Sequence, residues 1–436
     1  MSSHYADRYV AANPAAGYMK IQFYVPFYWR PGDAHADPVL RALLESSIAE
    51  FDTDLYTPNL VGLPLIARTG ADDDNVPPVN SRRLIRLLNE LNGKGGVPAL
   101  SEVEGGGHWF DGIMTSGDVG DFLAGHTMMH TPLPPFPESY TVVTLNPASS
   151  GARGGLVIQQ LRIPARAGRL HVVQQRAQGQ LIIKTENVRR FGMTTDNRTT
   201  STELVIDGTV LPAVRLPEQQ YCRLNSPSDP WAICPDSCSW CASERSSSSS
   251  GPILQVYDRQ LLLVVGTHGT VQETARCKAG AVTIANDWLQ FGNGVVDIIA
   301  DDEALDRADL AAFNLIVLGG PAVNSFSASE ASTGNLPVSF EADGRWFSIG
   351  WRLFNDPGTG VLFTAPWKGN LAVIASGIDE EGLRLAIEQF PVRTGTTVPD
   401  YIVVNPEQQW KAAGGVLAAG FWSYDWSFSE VSGYLR

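Results

Sequence analysis

Gly70-Ala71-Asp72-Asp73-Asp74-Asn75-Val76-Pro77 and Glu104-Gly105-Gly106-Gly107-His108-Trp109-Phe110 are two loops of one repeating pattern. Val61 to Ala67 precedes the first loop and reads as a buried strand. Residues 78–92 follow it, with Leu84, Leu87, Leu88 and Leu91 on one side of a predicted helix. Val97 to Val103 is a second apolar strand, and it runs into the second loop. A short helix near Val119, Phe122 and Leu123 closes the stretch. Strand, loop, helix, strand, loop, helix is the rhythm of a parallel α/β sheet.

Working outward, Asp37-Pro38 opens an earlier helix, with an N-cap acceptor before a first-turn proline. Val39, Leu40, Leu43, Leu44, Ile48 and Phe51 give that helix one apolar face. On the other side, Thr131-Pro132-Leu133-Pro134-Pro135-Phe136-Pro137 reads as a stiff linker. Beyond it the period shortens. Thr141–Leu145, Leu156–Leu161, Leu170–Gln174, Gln180–Lys184 and Leu204–Ile206 are short strand-like runs separated by turn residues, which predicts a β-sandwich-like domain. The serine run Ser246–Ser250 reads as a flexible loop. From Gln260 the α/β rhythm returns, with strands at Leu261–Val265, Val295–Ala300, Leu315–Leu318, Gly360–Thr364, Leu371–Ala375 and Tyr401–Val404, and helices at 272–290 and 379–390. The expected architecture is therefore three α/β and β domains: residues 1–135, 136–257 and 258–436.

The 436 residues bound the partners. At roughly 100–200 residues per domain, about two to four domains fit. Lys+Arg number 32 against 46 Asp+Glu, a net charge of -14. Such a chain repels phosphate backbones, which argues against nucleic acid as a partner. No run approaches the roughly 20 apolar residues of a transmembrane helix. Met1-Ser2-Ser3-His4-Tyr5 lacks the basic and apolar regions of a signal peptide. Compartment is not legible.

The two loops carry chemistry as a pair. Asp73 and His108 are 35 residues apart, each after a predicted strand. A carboxylate holds an imidazole in one tautomer and stabilises its protonated form. The imidazole takes a serine proton and returns it to the leaving group. In an α/β hydrolase the three groups run serine, acid, histidine along the chain.

The residues Gly70 to Pro77, Ser81-Arg82-Arg83 and Glu104 to Phe110 resemble the end of the catalytic domain of the prolyl oligopeptidase family of serine peptidases. That resemblance implies the C-terminal part of an α/β-hydrolase domain over residues 1–135. In the family a "His-Gly-x-x-Asp-Asp-Asn-Val" run carries the triad acid on the first of its paired aspartates. Register with Asn75-Val76 puts that acid on Asp73, and the family's histidine falls on His108. The chain is similar to large fungal members in its Gly107 to Gly112, Asn187 to Phe191 and Gly266 to Thr270 segments as well. The resemblance implies acyl transfer from a peptide or ester to water, with no cofactor. Trp109 and Phe110 are candidate pocket walls by adjacency. Thr69 stands where the family has histidine, with Arg68 as an extra residue. No Gly-x-Ser-x-Gly occurs, and the serines upstream of Asp73 are Ser2, Ser3, Ser46 and Ser47. The expected nucleophile thus lies outside this chain, which by itself should be inactive. The rival reading is a non-catalytic binding protein built on a hydrolase remnant.

Three further features compete with blander readings. Cys222, Cys234, Cys238 and Cys241 can hold a structural zinc, form disulfides or stay as thiols. Gly266-Thr267-His268-Gly269 follows a strand, but without a dinucleotide or P-loop signature it reads as a tight turn. Trp346, Trp351, Trp422 and Trp426 suit either a carbohydrate platform or a core.

Overall fold

The computed structural model describes residues 1–21, 36–92, 98–127, 136–194, 202–213, 220–234, 239–391 and 396–436. Residues 131–135 of the proline-rich linker, and Cys238, lie outside these. The protein is a multidomain α/β chain with several sheets, parallel and antiparallel.

Ile66–Gly70 (β1) and Ala99–Val103 (β2) pair in parallel, with Ile66 opposite Ala99 and Gly70 opposite Val103. The helix Val79–Asn92 connects them and buries Leu84, Ile85 and Leu88. A parallel pair needs such a crossover, because each strand must start again at the same end. Ala12 and Ala15 form single bridges alongside β1, so β1 is covered on both edges and all five of its residues are buried.

The β-rich region follows the period-2 pattern. Ser139–Thr144 (β3), Gly168–Gln175 (β5), Gln180–Glu186 (β6), Glu203–Ile206 (β8) and Thr209–Pro212 (β9) make one sheet in the order β3-β5-β6-β8-β9. Leu156–Leu161 (β4), Val188–Met193 (β7), Gln220–Cys222 (β10) and Ala232–Cys234 (β11) make another, in the order β11-β10-β7-β4. Val142, Leu170 and Ile183 from the first share one apolar core with Ile158, Phe191 and Tyr221 from the second. In β5 and β8 alternate residues are buried, as the alternation predicts, whereas β7 is buried throughout.

The third region is an eight-stranded sheet. Its strands are Leu261–Val265 (β12), Asp297–Ala300 (β13), Asn314–Leu318 (β14), Gly360–Trp367 (β18), Asn370–Gly377 (β19), Tyr401–Val404 (β20), Val416–Gly420 (β21) and Gly433–Leu435 (β22). A separate small sheet holds Ser339–Phe340 (β15), Phe347–Ile349 (β16) and Arg352–Phe354 (β17). The large sheet runs β13-β12-β14-β19-β18-β20-β21-β22, parallel over its first four strands and antiparallel beyond. Buried on both faces, β12 is a continuous apolar run, and so is β14 after Asn314.

The compact units divide the chain differently from the expected three domains. Residues 1–26, 50–161 and 166–237 form one unit, so the segment carrying β1 and β2 and the β-rich segment belong together. Residues 27–49, 162–165 and 238–436 form the other. The helix Pro38–Ser46 therefore leaves the region its sequence position assigned it. Its Leu40 and Leu44 enter the core of the large sheet. An apolar stripe specifies that a helix is covered, not which sheet covers it.

The serine run is not a flexible loop. Ser246 and Ser249 are buried, and Gln255 Nε2 donates to the Ser247 carbonyl at 2.9 Å. Arg245, just before the run, is paired with the fully buried Asp400. Trp422 and Trp426 are core residues, whereas Trp346 and Trp351 are 43% and 73% exposed.

Candidate active site

Asp73 and His108 meet. His108 Nδ1 lies 3.0 Å from Asp73 Oδ2. Because β1 and β2 are parallel and in register, the loops after Gly70 and Val103 leave the sheet at the same end. The two loops are then stitched together. Asp72 N donates to the Gly106 carbonyl at 2.9 Å, and Ala71 N to the Val103 carbonyl at 2.8 Å.

The carboxylate is held on both sides. Asp73 Oδ1 accepts from Asn75 N at 3.0 Å and Val76 N at 2.8 Å, which is why the Asp-x-Asn-Val register matters. This leaves Oδ2 for the imidazole. The Asp73 side chain is wholly buried and that of His108 is 20% exposed. Its neighbours Asp72 and Asp74 are exposed, so only the middle aspartate of the three can orient the ring. Among the described residues no polar group hydrogen-bonds His108 Nε2. One ring nitrogen is thus fixed by an acid, and the other is left for a substrate or a nucleophile.

The chain is 29% identical, over 99% of its length, to an "Uncharacterized secreted protein" of Arthroderma benhamiae. It spans 45% of that relative's length. No protein-family model matches it.

Trp109 is 73% exposed, and its ring meets that of His108 edge to face at 5.2 Å. Phe110 is half-buried beneath the Arg68 guanidinium, 5.5 Å from its ring centre. Arg68 is buried and bonds Ser101 and Asp118, each at 2.7 Å, so the extra residue in β1 braces the strand pair. Two of the upstream hydroxyls are engaged elsewhere: Ser46 donates to the Ala42 carbonyl and Ser47 to that of Leu44.

Cys222 and Cys234 are joined by a disulfide across the antiparallel β10–β11 pair. A sulfur in a disulfide is not the thiolate that zinc requires. Of the three alternatives the sequence left open, Cys222 and Cys234 take the disulfide, which rules out a four-cysteine zinc site; Cys241 takes no part in that bond.

Gly70 makes the close approach of the loops possible. A Cβ there would sit 2.1 Å from the Gly106 carbonyl oxygen and 2.3 Å from that of Gly107. Both are backbone atoms and cannot swing aside. Gly70→Ala is expected to destabilise this unit by about 1–3 kcal/mol. Gly107→Ala, with nothing within 4 Å of its Cβ, should be near neutral. Urea denaturation of the two variants checks the contrast.

Proposed function

We propose that this chain carries the acid and the general base of a serine hydrolase of the prolyl oligopeptidase type. Asp73 orients and stabilises the imidazole. His108 removes the proton from a serine hydroxyl through Nε2 and returns it to the leaving group. The serine attacks the carbonyl of a peptide or ester, and water then releases the acyl group. The observation that carries this reading is the 3.0 Å contact between Nδ1 and a fully buried carboxylate, with Nε2 left open. Trp109, exposed beside the ring, suits one wall of a substrate pocket.

The nucleophile belongs outside these 436 residues. A relative more than twice as long is consistent with a larger parent protein. The relative's description as secreted, together with the Cys222–Cys234 disulfide, supports an oxidising compartment. Among the described residues no helix is long and apolar enough to cross a membrane.

The test is a fluorophosphonate probe, which labels only an activated serine. Applied to a longer gene product with a Gly-x-Ser-x-Gly upstream of Met1, it should label that serine, and His108→Ala should abolish labelling. A gene with no such upstream motif, or a longer product that fails to label, overturns the reading. Either result favours the non-catalytic binding protein, for which the absence of a serine partner to His108 Nε2 among the described residues speaks.

A further inference from the structure

The geometry points to a divalent-cation site formed by His268, Asp301 and Asp302 at the carboxyl end of the large sheet. It lies in the other compact unit from Asp73 and His108 and does not depend on their role.

The topology brings these residues together. Val265 of β12 pairs with Ala300 of β13 and with Leu318 of β14, so the three parallel strands end level. The chain leaves β12 through Gly266-Thr267-His268 and leaves β13 directly into Asp301-Asp302. From β12 it moves outward to β13, then returns to place β14 on the opposite side. Such a reversal opens a crevice outside the carboxyl ends of the strands, where open α/β sheets take ligands.

His268 Nε2 stands at metal-site distance from both carboxylates. His268 Nε2 lies 2.9 Å from Asp302 Oδ1 and 3.9 Å from Asp301 Oδ2. One donor atom from each residue falls within 4.8 Å of the other two. With metal bonds of about 2.0–2.2 Å, neighbouring ligands sit ~3 Å apart and opposite ones ~4 Å apart.

A second observation is independent of that spacing. Asp301 is completely buried, yet its hydrogen-bond partners are neutral. Thr267 Oγ1 donates to Oδ1 and Ser325 N donates to Oδ2, each at 2.7 Å. Among the described residues no lysine or arginine pairs with it, and the nearest ionisable cation is His268. Burying a carboxylate is costly unless a counter-ion or a metal compensates it. The first turn of the Asp301–Asp306 helix offers a partial positive charge, less than a full counter-ion. Thr267 and Ser325 also fix the carboxylates as outer-shell donors fix metal ligands, with Ser325 Oγ 3.0 Å from Asp302 Oδ1.

One imidazole and two carboxylates suit Mn²⁺, Fe²⁺ or Zn²⁺ better than the all-oxygen preference of Mg²⁺ or Ca²⁺. Three protein ligands leave positions for water or for an anionic ligand in the crevice.

The test is calorimetric titration of the chelator-stripped 436-residue protein with Mn²⁺ and, separately, with Zn²⁺. One equivalent should bind for at least one ion. Asp302→Asn and His268→Gln should each weaken it by at least about tenfold, the loss of one ligand. Both side chains are more than half exposed, so the fold should survive, and thermal melting of the variants checks this. Failure of both ions to bind at millimolar concentration overturns the inference. So does binding that survives in both variants; His268 and Asp302 are then an ion pair only.

Discussion

In a longer protein that carries the missing serine, His108→Ala is expected to lower kcat by about 10⁶-fold and Asp73→Asn by about 10⁴-fold. The two differ for a structural reason. Removing the imidazole removes the base itself. Removing only the charge of Asp73 leaves the ring in place, because Asn75 N and Val76 N would still hold the side chain. What is lost is the correct tautomer and the stabilisation of the imidazolium. The loss should therefore fall on kcat, with KM little changed and thermal melting of Asp73→Asn near that of the parent. A KM effect or a lowered melting temperature that accounts for the lost activity would assign Asp73 a structural role instead. The 436-residue chain alone should show no turnover of peptide or ester substrates, since an acid and a base without a nucleophile form no acyl intermediate. Turnover by that chain at rates like those of the longer protein would overturn the assignment.

The largest stability effect is expected from Arg245→Met in the second unit, about 3–5 kcal/mol. Arg245 makes a bidentate pair with Asp400, which is fully buried, and also donates to the Trp422 carbonyl at 3.1 Å. Trp422 N donates to Asp400 Oδ2 at 3.0 Å. Burial pushes the Asp400 carboxyl up, and the guanidinium pulls against that. With methionine in its place the carboxylate would lie buried with no counter-charge. Asp400→Asn in the same background should restore part of the loss, because it removes the stranded charge. Urea denaturation of the single and double variants gives the coupling directly. Equal destabilisation by the single and the double variant would mean that packing, not charge, dominates this contact.

Parts of this protein were legible in the residue pattern because their causes are local. The helix expected over 272–290 runs Val271–Gly292, and the structure shows a Thr270–Glu273 capping box opening it. The apolar runs at Leu261–Val265 and Leu315–Leu318 lie in strands buried throughout. The Asp73–His108 pair was also legible, since two parallel strands joined by one helix must present their following loops at the same end. The His268–Asp301–Asp302 cluster was not. Gly266-Thr267-His268-Gly269 reads as a turn, and the aspartates lie more than thirty residues away. No periodicity says that β13 lies next to β12. The Cys222–Cys234 bond likewise required the antiparallel pairing of β10 with β11.

The sequence by itself indicated most of the strands and helices, although the strand expected over Val61–Ala67 runs instead over Ile66–Gly70, and it set Asp73 and His108 in the loops after two adjacent strands. These depend on side-chain period, caps and a loop register read over short distances. Tertiary structure alone decided which sheet buries Leu40 and Leu44, how the chain divides into two units, and which carboxylates surround His268. Those follow from strand order and core packing between residues far apart in the chain. An apolar or charged side chain specifies the kind of environment it needs, and only the folded chain supplies the particular neighbour.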